Sequence, residues 1–169
     1  MTPDAFAAAL AAARTAAEAL GALHDYSQAA VPVRLWTVMT VDHEAGLARR
    51  AYTSHPDKYP VSGTKPVPEG EWFEGLSGRG EPFVANTLAA IAGVFPDHET
   101  IGALGCGSVL NLPVAIGGRL AATVNLLDVE GRFTPGQVAT ARSALALPSL
   151  GAVAIARLLP GDAAPGGAA

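Results

Sequence analysis

Two asparagines, Asn111 and Asn125, each stand among apolar neighbours in stretches that read as strands. An amide inside an apolar strand costs free energy unless a partner satisfies it. A bound small molecule could be that partner; loop backbone is the alternative. Whether the two amides share a sheet face depends on the turn between them. A strict two-residue turn at Gly117-Gly118 would put them on opposite faces, and a bulge would bring them together.

A second group comes from a strand and the loop after it: Arg50, Tyr52, Tyr59, Lys65 and Trp72. Two cations and three aromatics suit a small anionic ligand, such as a carboxylate, with an apolar body. The alternative is a solvated loop with aromatic anchors in the core. Asp97-His98-Glu99 opens a short helix, with Asp97 as its cap. His98 is suited to hydrogen bonding a ligand or to acid–base work. Cys106 is the single cysteine and lies between two glycines. It follows a helix C-terminus, the wrong pole for lowering a thiol pKa, so it reads as a small buried hydrophobe. If the chain is an enzyme, Cys106, His98 and Asp97 could form a Cys–His–acid set.

The chain has 169 residues, half of them hydrophobic and only 15% charged, with a net charge of −4. That supports one domain with a full core and a surface poor in charge. The acidic balance and the lack of a basic run exclude a nucleic-acid partner. The single cysteine excludes an internal disulfide. His24, His43, His55 and His98 are scattered, so no metal site is expected, and no cofactor. Asp4, Arg14 and Glu18 interrupt the N-terminal alanines, which argues against a signal peptide or membrane span. A cytoplasmic location is expected by elimination.

The elements that must position these residues follow from pattern. Thr2-Pro3-Asp4 starts a helix whose apolar positions Phe6, Leu10, Ala13, Ala17 and Leu20 lead to Gly21. Strands are expected over 33–41 and 47–54, joined by a turn at 42–46. The stretch 55–71 is irregular, and a loop this long in a compact domain is usually functional. A short helix (72–76), a short strand (81–85) and two short helices (to Val94 and to Gly105) follow. Gly107 to Asp128 reads as a hairpin. Thr134-Pro135-Gly136-Gln137 opens a last helix towards Leu159, which Pro148 should kink or split. Residues 1–159 form a single domain; 160–169 are a small-residue tail, expected to be disordered.

Leu112-Pro113-Val114, the Gly117-Gly118 turn, Thr123-Val124-Asn125-Leu126-Leu127 and Phe133-Thr134 together resemble the closing half of a GAF domain. The order of elements resembles that family over roughly residues 5–158, and Arg50 to Lys65 resembles small stand-alone bacterial GAF proteins. The resemblance implies an α+β fold: an antiparallel sheet, terminal helices on one face, and a loop and short-helix lid over a pocket on the other. It also implies that Asn111 and Asn125 both face that pocket. Cyclic-nucleotide GAF domains carry an acidic pair where this chain has Gln137 and Val138. Bilin-binding ones follow a cysteine with histidine, where Gly107 follows Cys106. Free methionine sulfoxide reductase has its nucleophile where Gly102 stands and a pocket acid where Asn125 stands, so that chemistry is not expected.

The expected function is a GAF-like domain, sensory or accessory, binding a small anionic metabolite between sheet and lid. The ligand set is Arg50, Tyr52, Tyr59, Lys65, Trp72, Asp97, His98, Asn111 and Asn125. The alternatives are a small-metabolite enzyme using Cys106 or His98, and a dimerisation module without ligand. An alanine-rich helix face around Ala9, Ala13 and Ala17, with the low charge, predicts a homodimer through the terminal helices.

Overall fold

The computed structural model describes residues 1–61 and 64–160. The chain opens with helices α1 (Pro3–Ala12) and α2 (Ala16–Ala30), followed by the hairpin β1 (Leu35–Asp42) and β2 (Leu47–Thr53). A two-residue strand β3 (Lys65–Pro66), helix α3 (Glu71–Glu74) and a π-helical turn (Gly75–Arg79) lead to β4 (Phe83–Ala85). Short helices α4 (Leu88–Ala92) and α5 (His98–Ala103) precede β5 (Ser108–Ile116), β6 (Arg119–Asp128) and the long α6 (Pro135–Leu158). The strands form one antiparallel sheet in the order β3-β2-β1-β6-β5-β4.

The expected α+β layering is observed. Even-numbered residues of the central strands, among them Trp36, Val38, Leu110, Val124 and Leu126, face α1, α2 and α6 and bury against Leu20, Leu23, Leu145 and Val153. The other face buries Leu35, Val109 and Leu127 against the short helices and Tyr59. Period-two alternation thus feeds two apolar layers, one on each side. The ends of the domain are tied together: the Ala16 amide at the start of α2 donates to the Pro160 carbonyl beyond α6.

Two expectations about the helices are corrected. The N-terminal helix is two helices, not one ending at Gly21. Thr15 breaks it with a capping box: its hydroxyl accepts from the Glu18 amide, and the Glu18 carboxylate accepts from the Thr15 and Arg14 amides. These bonds satisfy amide groups that a continuous helix would not leave free, so the break is locally stable. Gly21 lies within α2, where an added Cβ would stand 3.7 Å from the Tyr52 ring. Pro148 does not split α6, which runs on for 24 residues. Of the tail, only Pro160 belongs to the described residues, and residues 161–169 lie outside them.

Two bulges decide which side chains share a face. In β6 an extra residue, Ala121, is accommodated where Val114 pairs with Ala122 but Ala115 pairs with Leu120. In β2 the extra residue is Ala51, because Val38 pairs with Tyr52 and Met39 with Arg50. A one-residue slip reverses the facing of everything beyond it. The first bulge sets Asn111 directly opposite Asn125. The second separates Arg50 from Tyr52.

Candidate functional site

The lid-side face carries a row of aligned residues across five strands: Thr53, Thr37, Asn125, Asn111 and Phe83 are successive cross-strand partners. The middle three form a ladder. Asn111 Nδ2 donates to Asn125 Oδ1 at 2.6 Å, and Asn125 Nδ2 donates to Thr37 Oγ1 at 3.1 Å. Thr37 and Asn111 are 3% and 4% exposed, and Asn111 Oδ1 is buried and accepts no hydrogen bond. An orphaned amide oxygen costs about 1–3 kcal/mol, which a ligand donor would recover.

Above this row lies a cavity of about 270 Å³. Its floor includes Thr37, Asn111, Thr123 and Asn125, and its walls include Met39, Trp72, Phe95 and Ile101. Trp72 holds Phe95 and Phe83 in edge and tilted contacts, with centroids 5.2 and 5.8 Å away. The aromatic wall is therefore fixed by its own packing.

One side of the cavity is closed by a latch. The Arg50 guanidinium donates to Asp97 Oδ2 at 3.1 Å and to the Pro60 carbonyl at 2.8 Å, and its centre lies 3.5 Å over the Tyr59 ring. Tyr59 donates its hydroxyl proton to the same Asp97 oxygen. Burial, reinforced by the Asp97 carboxylate, pushes the Tyr59 phenol well above its ordinary pKa. The latch ties β2, the long loop and the start of α5 together with charge-assisted bonds. Arg50 and Asp97 are the charged side chains among the described lining residues, and they offset each other.

Six of the ten expected site residues meet here: Arg50, Tyr59, Trp72, Asp97, Asn111 and Asn125 line the cavity. Asp97 is corrected in role. Its side chain makes no capping bond to α5 and instead closes the latch. Tyr52 is on the opposite face, packed edge-on to Trp36 and 3.3 Å from His24 Nδ1. His98 does not line the cavity; its Nδ1 is 3.2 Å from the Phe95 carbonyl. Cys106 is 2% exposed within the second apolar cluster, outside the lining, and makes no hydrogen bond to His98 or Asp97. Burial first, then the nearby Asp128 carboxylate, pushes its thiol up to about 11. The Cys–His–acid set is therefore not assembled. The Lys65 backbone belongs to β3, opposite Ala48, while its side chain lies outside the described residues.

Thr37, Thr123 and Phe95 also line the cavity and were not among the expected site residues. Period two from Asn125 points to Thr123, but Thr37 is reached only through the sheet order. A larger, open groove of about 660 Å³ runs beside the β1–β2 and β5–β6 turns and the ends of α2 and α6. None of the candidates whose side chains are described lines it.

No protein-family model matches the chain, and no curated protein does. Solved structures do. The GAF domain of a two-component sensor histidine kinase from Bacillus halodurans superposes with a TM-score of 0.65 at 10% identity, covering 83% of this chain and 95% of that one. The GAF domain of a phosphoenolpyruvate-protein phosphotransferase from Coxiella burnetii gives 0.64 at 19% identity, covering 92% of each. Free methionine-R-sulfoxide reductase from Neisseria meningitidis, solved with its substrate, gives 0.62 at 15% identity over 90% of this chain and 86% of that one. At these identities the likeness is one of fold, and the fold is that of GAF domains.

Proposed function

We propose that this GAF-fold domain binds a small organic molecule in the cavity between the sheet and the latched lid, in a sensory or accessory role. The observation that carries the reading is the buried Thr37–Asn125–Asn111 ladder, with its unsatisfied amide oxygen, on the floor of an aromatic-walled cavity. A fold framework alone needs neither a polar row in an apolar sheet nor an orphaned acceptor there. The reductase with its substrate shows that one protein of this fold holds a small molecule.

The Arg50 arm of the expected anion site favours a different ligand, while the Lys65 side chain, its other arm, lies outside the described residues. Arg50 already serves Asp97, Tyr59 and Pro60, so its charge is spent within the latch. Among the described lining residues the charges balance, which suits an uncharged ligand, because an added carboxylate would give up its hydration without gaining a cation from them. The enzymatic alternative through Cys106 has nothing to support it: the thiol is buried, raised in pKa and away from the cavity.

Native mass spectrometry of the purified protein tests the reading. A co-purified small molecule is expected, lost in Asn125→Leu. Thermal shift against a metabolite panel is the second arm. A protein that carries nothing and is stabilised by nothing, in either assay, overturns the reading.

A further inference from the structure

The polar row has an order that constrains what can lie on it. From Asn111 to Thr37 the atoms run Oδ1, Nδ2, then Oδ1 and Nδ2 of Asn125, then the Thr37 hydroxyl. That is acceptor, donor, acceptor, donor. The bonds force the alternation, because each amide must meet its neighbour with the opposite group. Turning both amides over together reverses every bond. Thr37 then donates to Asn125, Asn125 donates to Asn111, and the alternation survives with its sense inverted. Each amide nitrogen keeps a second N–H and each amide oxygen a second lone pair, and all three residues line the cavity.

We infer that the ligand presents an uncharged edge in which a hydrogen-bond donor and an acceptor stand side by side, as in a carboxamide, lactam or imide. This rests on the reading that the cavity binds a ligand. Such an edge pairs two-pronged with any neighbouring donor and acceptor of the row, in either sense of the ladder. At the two asparagines a carboxylate, with two adjacent acceptors, must set one of them against a lone pair whichever way the amides turn. Only the Asn125 N–H and the Thr37 O–H together offer it two donors, and a carboxylate there leaves Asn111 Oδ1 still orphaned. It also meets an Arg50 already bound to Asp97. A site built for a donor rejects the analogue that lacks it, since a buried group is left unpaired.

Benzamide and benzoate are matched probes: the same ring, differing in that edge. Each is titrated at millimolar concentration and neutral pH into the isotope-labelled chain, reading the side-chain amide signals of Asn111 and Asn125 and the indole N–H of Trp72. Benzamide is expected to move all three and to bind at least about tenfold more tightly than benzoate. Benzoate binding as tightly as benzamide overturns the inference. If both probes move Trp72 but leave the asparagines alone, the inference falls while the cavity reading stands. If neither probe moves Trp72, the inference falls, and the cavity reading is decided by the co-purified molecule and the metabolite panel. The double variant Asn111→Leu/Asn125→Leu leaves no orphaned amide. It is expected to keep its circular dichroism and its Trp72 response and to lose the preference for benzamide. A preference that persists in that variant also overturns the inference.

Discussion

Arg50 and Asp97 carry the clearest test at the level of single side chains. Their side chains are 17% and 32% exposed, so the pair is neither a surface bridge nor a buried one. Arg50→Ala strands Asp97 beside Tyr59 and is expected to cost about 2 kcal/mol, between the values for exposed and buried pairs. Chemical denaturation measures that loss. Hydrogen exchange should locate the loosening in the segment before β3 and in α5, and unchanged exchange there would mean that the latch closes nothing. Cys106 is the opposite kind of residue. With its thiol pushed up to about 11, Cys106→Ser is expected to leave ligand binding intact, and alkylation should be slow at neutral pH. Titration of the thiol below pH 7 would contradict this. A raised thiol pKa stabilises the fold below the unfolded-state value and is lost as pH rises towards the folded one. Denaturation midpoints should therefore fall in the alkaline range, and less so in Cys106→Ala. The burial of Cys106 was legible in the sequence, because two flanking glycines and a preceding helix end offer no local cation; the Arg34 guanidinium that opposes the burial comes from a distant part of the chain. The facing of Tyr52 was not. Arg50 and Tyr52 are two residues apart, which in a regular strand means one face, and only the bulge at Ala51 separates them.

Helices and strands divide in the same way between local and non-local signals. Thr134 as the cap of α6 and the Gly117-Gly118 turn are written in a few adjacent residues, and both are found. The break between α1 and α2 is equally local, since Thr15-Ala-Ala-Glu18 is a complete capping box, but the alanine periodicity runs through it and masks it. Thr15→Ala should cost about 1 kcal/mol, read as a lowered thermal midpoint. The pairing of Asn111 with Asn125 depends on a bulge that the Gly-Gly turn does not announce, so its register had to come from the folded sheet. That pairing changes what Asn125→Leu does. Removing one amide leaves both ends of the Asn111 amide without a partner, so the single variant is expected to lose about 1–3 kcal/mol, and replacing both asparagines should restore most of it. If the two single costs simply add in the double variant, the ladder does not act as a unit. On the helix side, burial holds the His24 imidazole below its ordinary pKa against the pull of Asp25, with His55 adding to the lowering. A depressed histidine stabilises the fold above its unfolded value and loses that contribution as pH falls through the folded one. Unfolding below about pH 6.5 should therefore steepen, and His24→Phe should flatten the acid limb.

For the molecule as a whole, the outer side of α6 is left apolar and exposed among the described residues. Only 28% of the most apolar 18-residue window of α6 is buried, although by length and composition the helix could cross a membrane. Leu147, Leu150 and Leu158 stand out at 76%, 39% and 86% exposed. With Ala139, Ser143 and Ala154 they recur at steps of four, four, three, four and four along one stripe, the spacing of a helix–helix seam. The alanine face of α1 is a weaker candidate than the sequence suggested, because Ala9 and Ala13 are packed against the core of their own chain. We therefore expect a homodimer in which α6 meets its symmetry mate, with the cavity on the far side of the sheet left open. A two-fold interface counts every substitution twice. Burying one leucine contributes about 1.5–3 kcal/mol, so Leu147→Lys/Leu150→Lys should weaken assembly by several kcal/mol while leaving the buried core and the cavity untouched. Analytical ultracentrifugation should show a dimer for the parent chain and a monomer for the variant, and the variant should still bind whatever the parent binds. A parent that sediments as a monomer at micromolar concentration rules the interface out, and a variant that dissociates and also loses its ligand would mean that the two faces of the sheet are coupled.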